Sequence, residues 1–201
     1  GDPWHSVTDE VAFAHSVGWK VAYPSNAEDA VGLLRAALRG DDPVMFFEHR
    51  AMLDAASARR PYPGDEYVLP FGRGRVVRSG TSLTVVTWGA MVERCEAAAA
   101  ETGASIEIID LRTIVPWDKA LVFDSVRKTS RCLIVHEDFL LNGFGAEIAA
   151  AIVGELFLEL DAPVQRLAAP SIPVPYNTGL MDAMIPRVDQ IRERLEWLLS
   201  F

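Results

Sequence analysis

From residue 83 onward the chain repeats one pattern: a short apolar run, a turn, then a longer stretch with apolar residues at helical spacing. Residues 83–88, 106–109, 132–135 and 164–167 read as strands, and residues 90–101, 119–128, 144–158 and 188–199 as helices. Strands alternating with helices therefore predict an α/β fold with a doubly wound, mostly parallel sheet and right-handed crossovers.

The first part holds a smaller unit. Residues 20–24 read as a strand, and Ser25 or Asn26 offers a capping oxygen, with Glu28 and Asp29 in the first helical turn. Ala30, Leu33, Leu34, Ala37 and Leu38 then recur at helical spacing up to Gly40, and residues 43–47 form an apolar second strand. This is a β-α-β piece. Between the two units, residues 56–80 are rich in turn residues, as in Arg59-Arg60-Pro61-Tyr62-Pro63-Gly64, and end in an extended, glycine-framed segment. The expected organisation is a partial domain over 1–55, a linker over 56–80 and a complete domain over 81–201.

Composition narrows the function classes. Nineteen basic residues against 28 acidic ones give a net charge of -9, and no basic stripe is present, so nucleic acid is not an expected partner. No apolar run approaches the ~20 residues needed to span a bilayer, and Gly1-Asp2-Pro3-Trp4-His5 lacks the character of a secretory signal. Cys95 and Cys132 lie in apolar surroundings and read as free buried thiols. A cytoplasmic location is expected.

Several motifs carry possible chemistry. Gly143-Phe144-Gly145 before a helix lacks the full dinucleotide fingerprint, and Glu147 would repel phosphate, so a tight strand-to-helix turn is expected. His136-Glu137-Asp138 is expected at the C-terminal end of a strand, where open α/β sheets place functional groups. Acid–base work and a structural or interface role are both open to it, and its spacing fits no zinc motif. Asp110, Arg112 and Asp118 flank a turn; Asp118 suits a helix cap, and Arg112 suits pairing with a carboxylate of a neighbouring loop or subunit. His5-Ser6 is weak evidence alone, and His15 and His49 show no partner pattern.

In series these motifs resemble a known family. Asp110-Leu111-Arg112-Thr113-Ile114-Val115-Pro116-Trp117-Asp118, then His136-Glu137, Gly143-Phe144-Gly145-Ala146-Glu147 and Pro173-Val174-Pro175-Tyr176 stand as in the C-terminal domain of one type of subunit. That subunit is the beta subunit of the thiamine diphosphate-dependent 2-oxo acid dehydrogenases, of pyruvate and branched-chain type, within the transketolase-like superfamily. His5-Ser6, Phe13-Ala14-His15, Gly18-Trp19-Lys20-Val21, Pro24-Ser25 and residues 42–48 resemble its pyrimidine-binding domain.

The resemblance implies an oxidoreductase subunit that decarboxylates a 2-oxo acid and passes the acyl group to the lipoyl arm of an acyltransferase. Its implied partners are an alpha subunit, a second beta subunit and the E2 lipoyl-acyltransferase. Thiamine diphosphate and Mg2+ belong to the assembled enzyme, with the alpha subunit holding the diphosphate and the metal. His5 takes the candidate catalytic role, as an imidazole that donates a proton during acyl transfer. A K+ ion is implied at carbonyl oxygens of Ala37, Leu38, Gly40 and Asp42.

The family's cofactor-activating glutamate belongs upstream of His5, so the isolated chain is expected to be inactive. Val7-Thr8 and Ser16-Val17 depart from the family's usual wording. The alternatives are a noncatalytic interaction module, in which acidic residues such as Glu193 and Glu196 steer a basic partner, and a fragment of acetoin dehydrogenase or another transketolase-like enzyme.

Overall fold

The computed structural model describes residues 6–201. Two sheets organise it. The smaller has the order β2 (Val44–Phe46), β1 (Lys20–Ala22), β6 (Thr113–Val115). Strands β1 and β2 are parallel and joined by helix α2 (Ala27–Leu38), which is the expected β-α-β piece. Asn26 is the capping residue: its Oδ1 accepts from the Asp29 backbone N–H at 3.0 Å, satisfying a donor that the first turn leaves free.

The larger sheet has the order β3 (Arg75–Arg78), β5 (Ile106–Asp110), β4 (Leu83–Thr87), β7 (Cys132–Phe139), β8 (Gln165–Ala169). Its last four strands are parallel, and β3 closes one edge antiparallel to β5. Neighbouring residues of a strand point to opposite faces, and here both faces are covered. Leu83, Val85, Ile108, Leu133 and Val135 pack against α4 (Met91–Thr102) and α8 (Val188–Leu199). Val86, Ile109 and Ile134 face the opposite way, toward α5 (Lys119–Thr129) and α6 (Gly145–Leu156). This double cover explains why apolar residues stand at both odd and even positions of β4, β5 and β7, while the buried Thr84 bonds to the Ser125 and Thr129 hydroxyls and Glu107 to Ser125 and Lys128. Each such side chain, fully buried, contributes about 1.5–3 kcal/mol. Ile191, Leu195 and Leu198 give α8 one apolar stripe toward the sheet. Cys95 and Cys132 are free and buried, as expected.

Three short helices escape the sequence periodicity: α1 (Glu10–Ala14), α3 (Arg50–Leu53) and α7 (Thr178–Met184). Strand β6 does too, and it belongs to the smaller sheet although it follows β5 of the larger one. Strand β7 continues past Val135 to Phe139 because Phe139 pairs with Ala169 of β8 beyond an irregularity in the ladder. His136, Glu137 and Asp138 therefore lie inside a strand rather than beyond its end.

Candidate functional site

A cavity of about 700 Å³ opens where the two units meet. Its walls are largely apolar, with Val7, Phe47, Met52, Met91 and Met181 among them, and it runs to the carboxylates Glu137 and Asp138 of β7. Ser6, Val7 and Thr8 form part of its rim, next in sequence to His5, which itself lies outside the described residues.

The polar end of the cavity is built across the junction. His49 Nε2 lies 2.9 Å from Glu137 Oε2. Burial lowers the His49 pKa, but the hydrogen bond and charge of Glu137 outweigh it, and the net shift is upward. His49 is thus a bridge between the units, where the sequence showed no partner; its partner stands 88 residues away. Asp138 Oδ1 accepts from the Phe139 N–H at 2.7 Å, and burial pushes its carboxyl up to about 6. Tyr23 stacks on Phe47, with ring centroids 5.4 Å apart, and burial raises its phenol above the ordinary range.

His136 behaves differently from its neighbours. It has no exposed surface, neither ring nitrogen has a hydrogen-bond partner, and it stacks on Trp88 at 5.2 Å. Glycine at 143 and 145 makes room for it: a Cβ at Gly143 would fall 2.6 Å from its Cε1, and one at Gly145 would fall 2.6 Å from its Nε2. Burial pulls its pKa down to about 4, so the ring is neutral near pH 7. Of the two roles open to it, this geometry suits packing under the glycine turn. The turn does the steric work expected of it and presents no phosphate cradle.

A second polar cluster ties α2 to the end of β5. Arg112 Nη1 lies 3.1 Å from Asp29 Oδ1, and its Nε and Nη2 donate to the carbonyls of Arg73 and Gly74 at 3.0 and 2.9 Å. Arg75 approaches Asp29 at 3.2 Å and Asp110 at 3.6 Å. Ser25 Oγ donates to Asp110 Oδ2 at 2.5 Å. Burial pushes the Asp110 carboxyl up to about 6, against the pull of the Ser25 hydrogen bond. Arg112 thus pairs with a carboxylate of the neighbouring unit, and Asp118 Oδ1 caps α5 by accepting from the Leu121 N–H at 3.1 Å. The cluster's carboxylates and the Arg112 guanidinium engage one another across the two units, while the Arg75 Nε is buried without a partner.

Ala37, Leu38, Gly40 and Asp42 follow one another from the last turn of α2 to β2, with all but Ala37 exposed. The Ala37 carbonyl accepts from the Gly40 N–H at 3.3 Å, and the Asp42 carboxylate pairs with Lys20 at 2.6 Å. Among the described residues no cluster of three or more His, Cys, Asp or Glu side chains is placed to hold a metal ion. The cavity's polar residues are also predominantly acidic, with Glu48, Glu93, Glu137, Asp138 and Asp182 against Arg50, Arg94 and His49. With His49 held by Glu137, Arg94 held by Asp182 and the Pro186 carbonyl, and no carboxylate cluster placed for a metal ion, the described residues do not fit a diphosphate with its divalent metal.

The fold is a doubly wound α/β domain joined to a β-α-β piece, with a cavity at their junction. The chain belongs to the transketolase family: residues 72–191 match the transketolase C-terminal domain, and residues 1–55 match the transketolase pyrimidine binding domain. It is 46% identical over 181 residues to the mitochondrial 2-oxoisovalerate dehydrogenase subunit beta of Chaetomium thermophilum, covering 87% of this chain and 38% of that one. It is 37% identical over 205 residues to the 2-oxoisovalerate dehydrogenase subunit beta of Bacillus subtilis, covering 100% of this chain and 62% of the relative. The mitochondrial pyruvate dehydrogenase E1 component subunit beta-2 of Oryza sativa subsp. japonica is 39% identical over 191 residues, 93% of this chain and 51% of that one. The chain thus spans between 38% and 62% of the length of these relatives. A solved chain described as "Split gene transketolase, inactive beta4 tetramer" shares the fold, with a TM-score of 0.77 at 19% identity over 95% of this chain and 60% of that one.

Proposed function

We propose that this chain is part of the beta subunit of a 2-oxo acid dehydrogenase E1 component. It would act with an alpha subunit in the oxidative decarboxylation of a 2-oxo acid and the transfer of the acyl group to an E2 lipoyl-acyltransferase. The observation that carries this is the junction cavity. It is rimmed by the residues that follow His5 in sequence, in a chain whose relatives are beta subunits of such enzymes along nearly its whole length. In this proposal His5 is the proton donor, and the apolar wall of the cavity excludes water from the transferred acyl group.

The described residues do not fit the diphosphate end of thiamine diphosphate, so that end and its Mg2+ are assigned to the alpha subunit. The K+ site at Ala37, Leu38, Gly40 and Asp42, the division into 1–55, 56–80 and 81–201, the second beta subunit of a heterotetramer and a cytoplasmic location belong to the same proposal. Among the described residues no helix is long and apolar enough to cross a membrane.

The test is reconstitution. The protein is purified with its alpha subunit and with the segment that supplies the cofactor-activating glutamate; decarboxylation of 2-oxoisovalerate and of pyruvate is followed with an artificial electron acceptor, and acyl transfer with a lipoylated acceptor domain. Activity toward one of them, lost on His5→Ala at the acyl-transfer step, is the expected result. A stable alpha–beta complex that decarboxylates neither acid would overturn the assignment.

A further inference from the structure

Glu10 is the first residue of α1, yet only 1% of its surface is exposed. Its Oε1 accepts from the Trp88 indole N–H at 3.1 Å, across the junction between the units. Its Oε2 is buried and has no hydrogen-bond partner. Asp138 is the same kind of group approached from the other side. It is 4% exposed, with Oδ1 engaged by the Phe139 N–H and Oδ2 buried without a partner. Each of these carboxyl groups disfavours ionisation of Glu10 or is disfavoured by a neighbouring acid: Asp138 acts on Glu10, and Asp9 acts on Asp138.

Among the described residues no cation is ion-paired with either carboxyl, Arg50 of α3 in the same cavity wall as Asp138 included. On α1 itself the adjacent acid is Asp9. From the larger sheet come Glu137, which also opposes ionisation of Glu10, and the neutral His136 stacked on Trp88. Arg166 of β8 donates to the Leu140 carbonyl, and Arg94 of α4 is held by Asp182 and the Pro186 carbonyl. From the smaller unit, His49 is committed to Glu137, Lys20 of β1 to Asp42, and Tyr23 is a buried phenol. Strand β6 contributes no ionisable side chain. An ionised carboxylate buried without a cation costs far more than a neutral acid, and a proton is the remaining way to neutralise it.

We propose that Glu10 and Asp138 form a proton-binding latch between the two units: protonated, it holds α1 and the adjoining Ser6, Val7 and Thr8 against Trp88, and ionised, it lets that rim of the cavity loosen. The orphan oxygens are then explained, because a protonated carboxyl supplies the hydrogen that the static arrangement lacks.

The direction of the pH effect follows from linkage. Burial is the largest cause in both groups and raises both, Glu10 from 4.5 to about 7 and Asp138 from 3.8 to about 6. The closed latch therefore binds protons more tightly than the open one. Its closure is fullest below the ordinary carboxylate values and is lost as pH rises through about 6 to 7. Closure weakens by up to about tenfold per pH unit for each group between its ordinary value and its raised one, and levels off above the raised value.

The test uses the intact protein and the Trp88 indole N–H resonance in ¹⁵N-labelled samples, with the Glu10 side-chain carboxyl ¹³C shift as a readout that requires no variant. A titration midpoint near 7 in both signals is expected. Glu10→Gln, which keeps the shape and stays neutral, should abolish the Trp88 titration. Asp138→Asn should move the midpoint down toward the ordinary value by removing a repelling charge. Hydrogen exchange of the α1 amides, referenced to Glu10→Gln at each pH, should accelerate on the order of a hundredfold between pH 5 and pH 7. A wild-type midpoint at 4.5, or one that Asp138→Asn leaves in place, overturns the proposal. His136 titrates far below this window and does not mimic the signal.

Discussion

Replacing Arg112 by methionine probes the contact that joins the end of β5 to α2. Methionine keeps the length and the apolar stem of the side chain while removing the guanidinium. Three bonds are lost together: the ion pair to Asp29 and the donations to the Arg73 and Gly74 carbonyls. Breaking a buried ion pair by removing one partner typically costs about 3–5 kcal/mol, because the survivor remains as an uncompensated charge. Asp29 is not left alone. Arg75 stays at 3.2 Å and the Asn26 amide donates to its Oδ2 at 2.6 Å. The expected loss is therefore at the lower end, about 3 kcal/mol. For a chain of this size that corresponds to roughly 6–12 °C in Tm.

Urea unfolding reads the effect as a lower midpoint at an unchanged m-value. Arg112 also has a φ of 61°, in the left-handed region. Arg112→Gly removes the same bonds and the buried stem as well, so the about 1 kcal/mol of backbone cost it relieves is outweighed and it should be the more damaging of the two. A loss below about 1 kcal/mol for Arg112→Met would refute the reasoning, since it would place the pair among solvated surface contacts.

Two further outcomes follow from local geometry. Asn26→Ala removes the cap of α2 and should lower stability by about 1 kcal/mol in the same unfolding assay; an unchanged midpoint would mean that water replaces the cap without cost. Cys95 and Cys132 are buried, which pushes both thiols up to about 12, so neither should react with a thiol reagent at pH 8 until the protein unfolds. Stoichiometric labelling of the native protein within minutes would contradict their placement.

The parts that were legible in the sequence share a physical property: local periodicity reported their surroundings. Residues 132–135 are apolar on both sides, as are Leu83, Val85 and Val86 of β4, because helices cover both faces, and that can be seen in a window of a few residues. Asp118 and Asn26 were legible as caps because a cap is a contact between near neighbours in the chain. What escaped was set by partners far away. Strand β6 has three residues, too few to show a period, and exists because β1 pairs with it. His49 acquires its role from Glu137, and Glu10 from Trp88, 78 residues on. A glutamate opening a helix ordinarily faces water, and nothing around Glu10 marks it as turned inward. The family resemblance pointed to His5 but offered no view of these cross-junction pairs.

The three residues of β6 carry a consequence of their own. They leave the larger sheet's run of strands to sit beside β1, which makes β1 the middle of its sheet rather than a border. Severing the polypeptide between the halves would strip that neighbour away and expose a row of unsatisfied backbone groups, the kind of edge that recruits stray strands. The halves are stitched by a loan of main chain, and neither can be lifted out with its hydrogen-bonding intact.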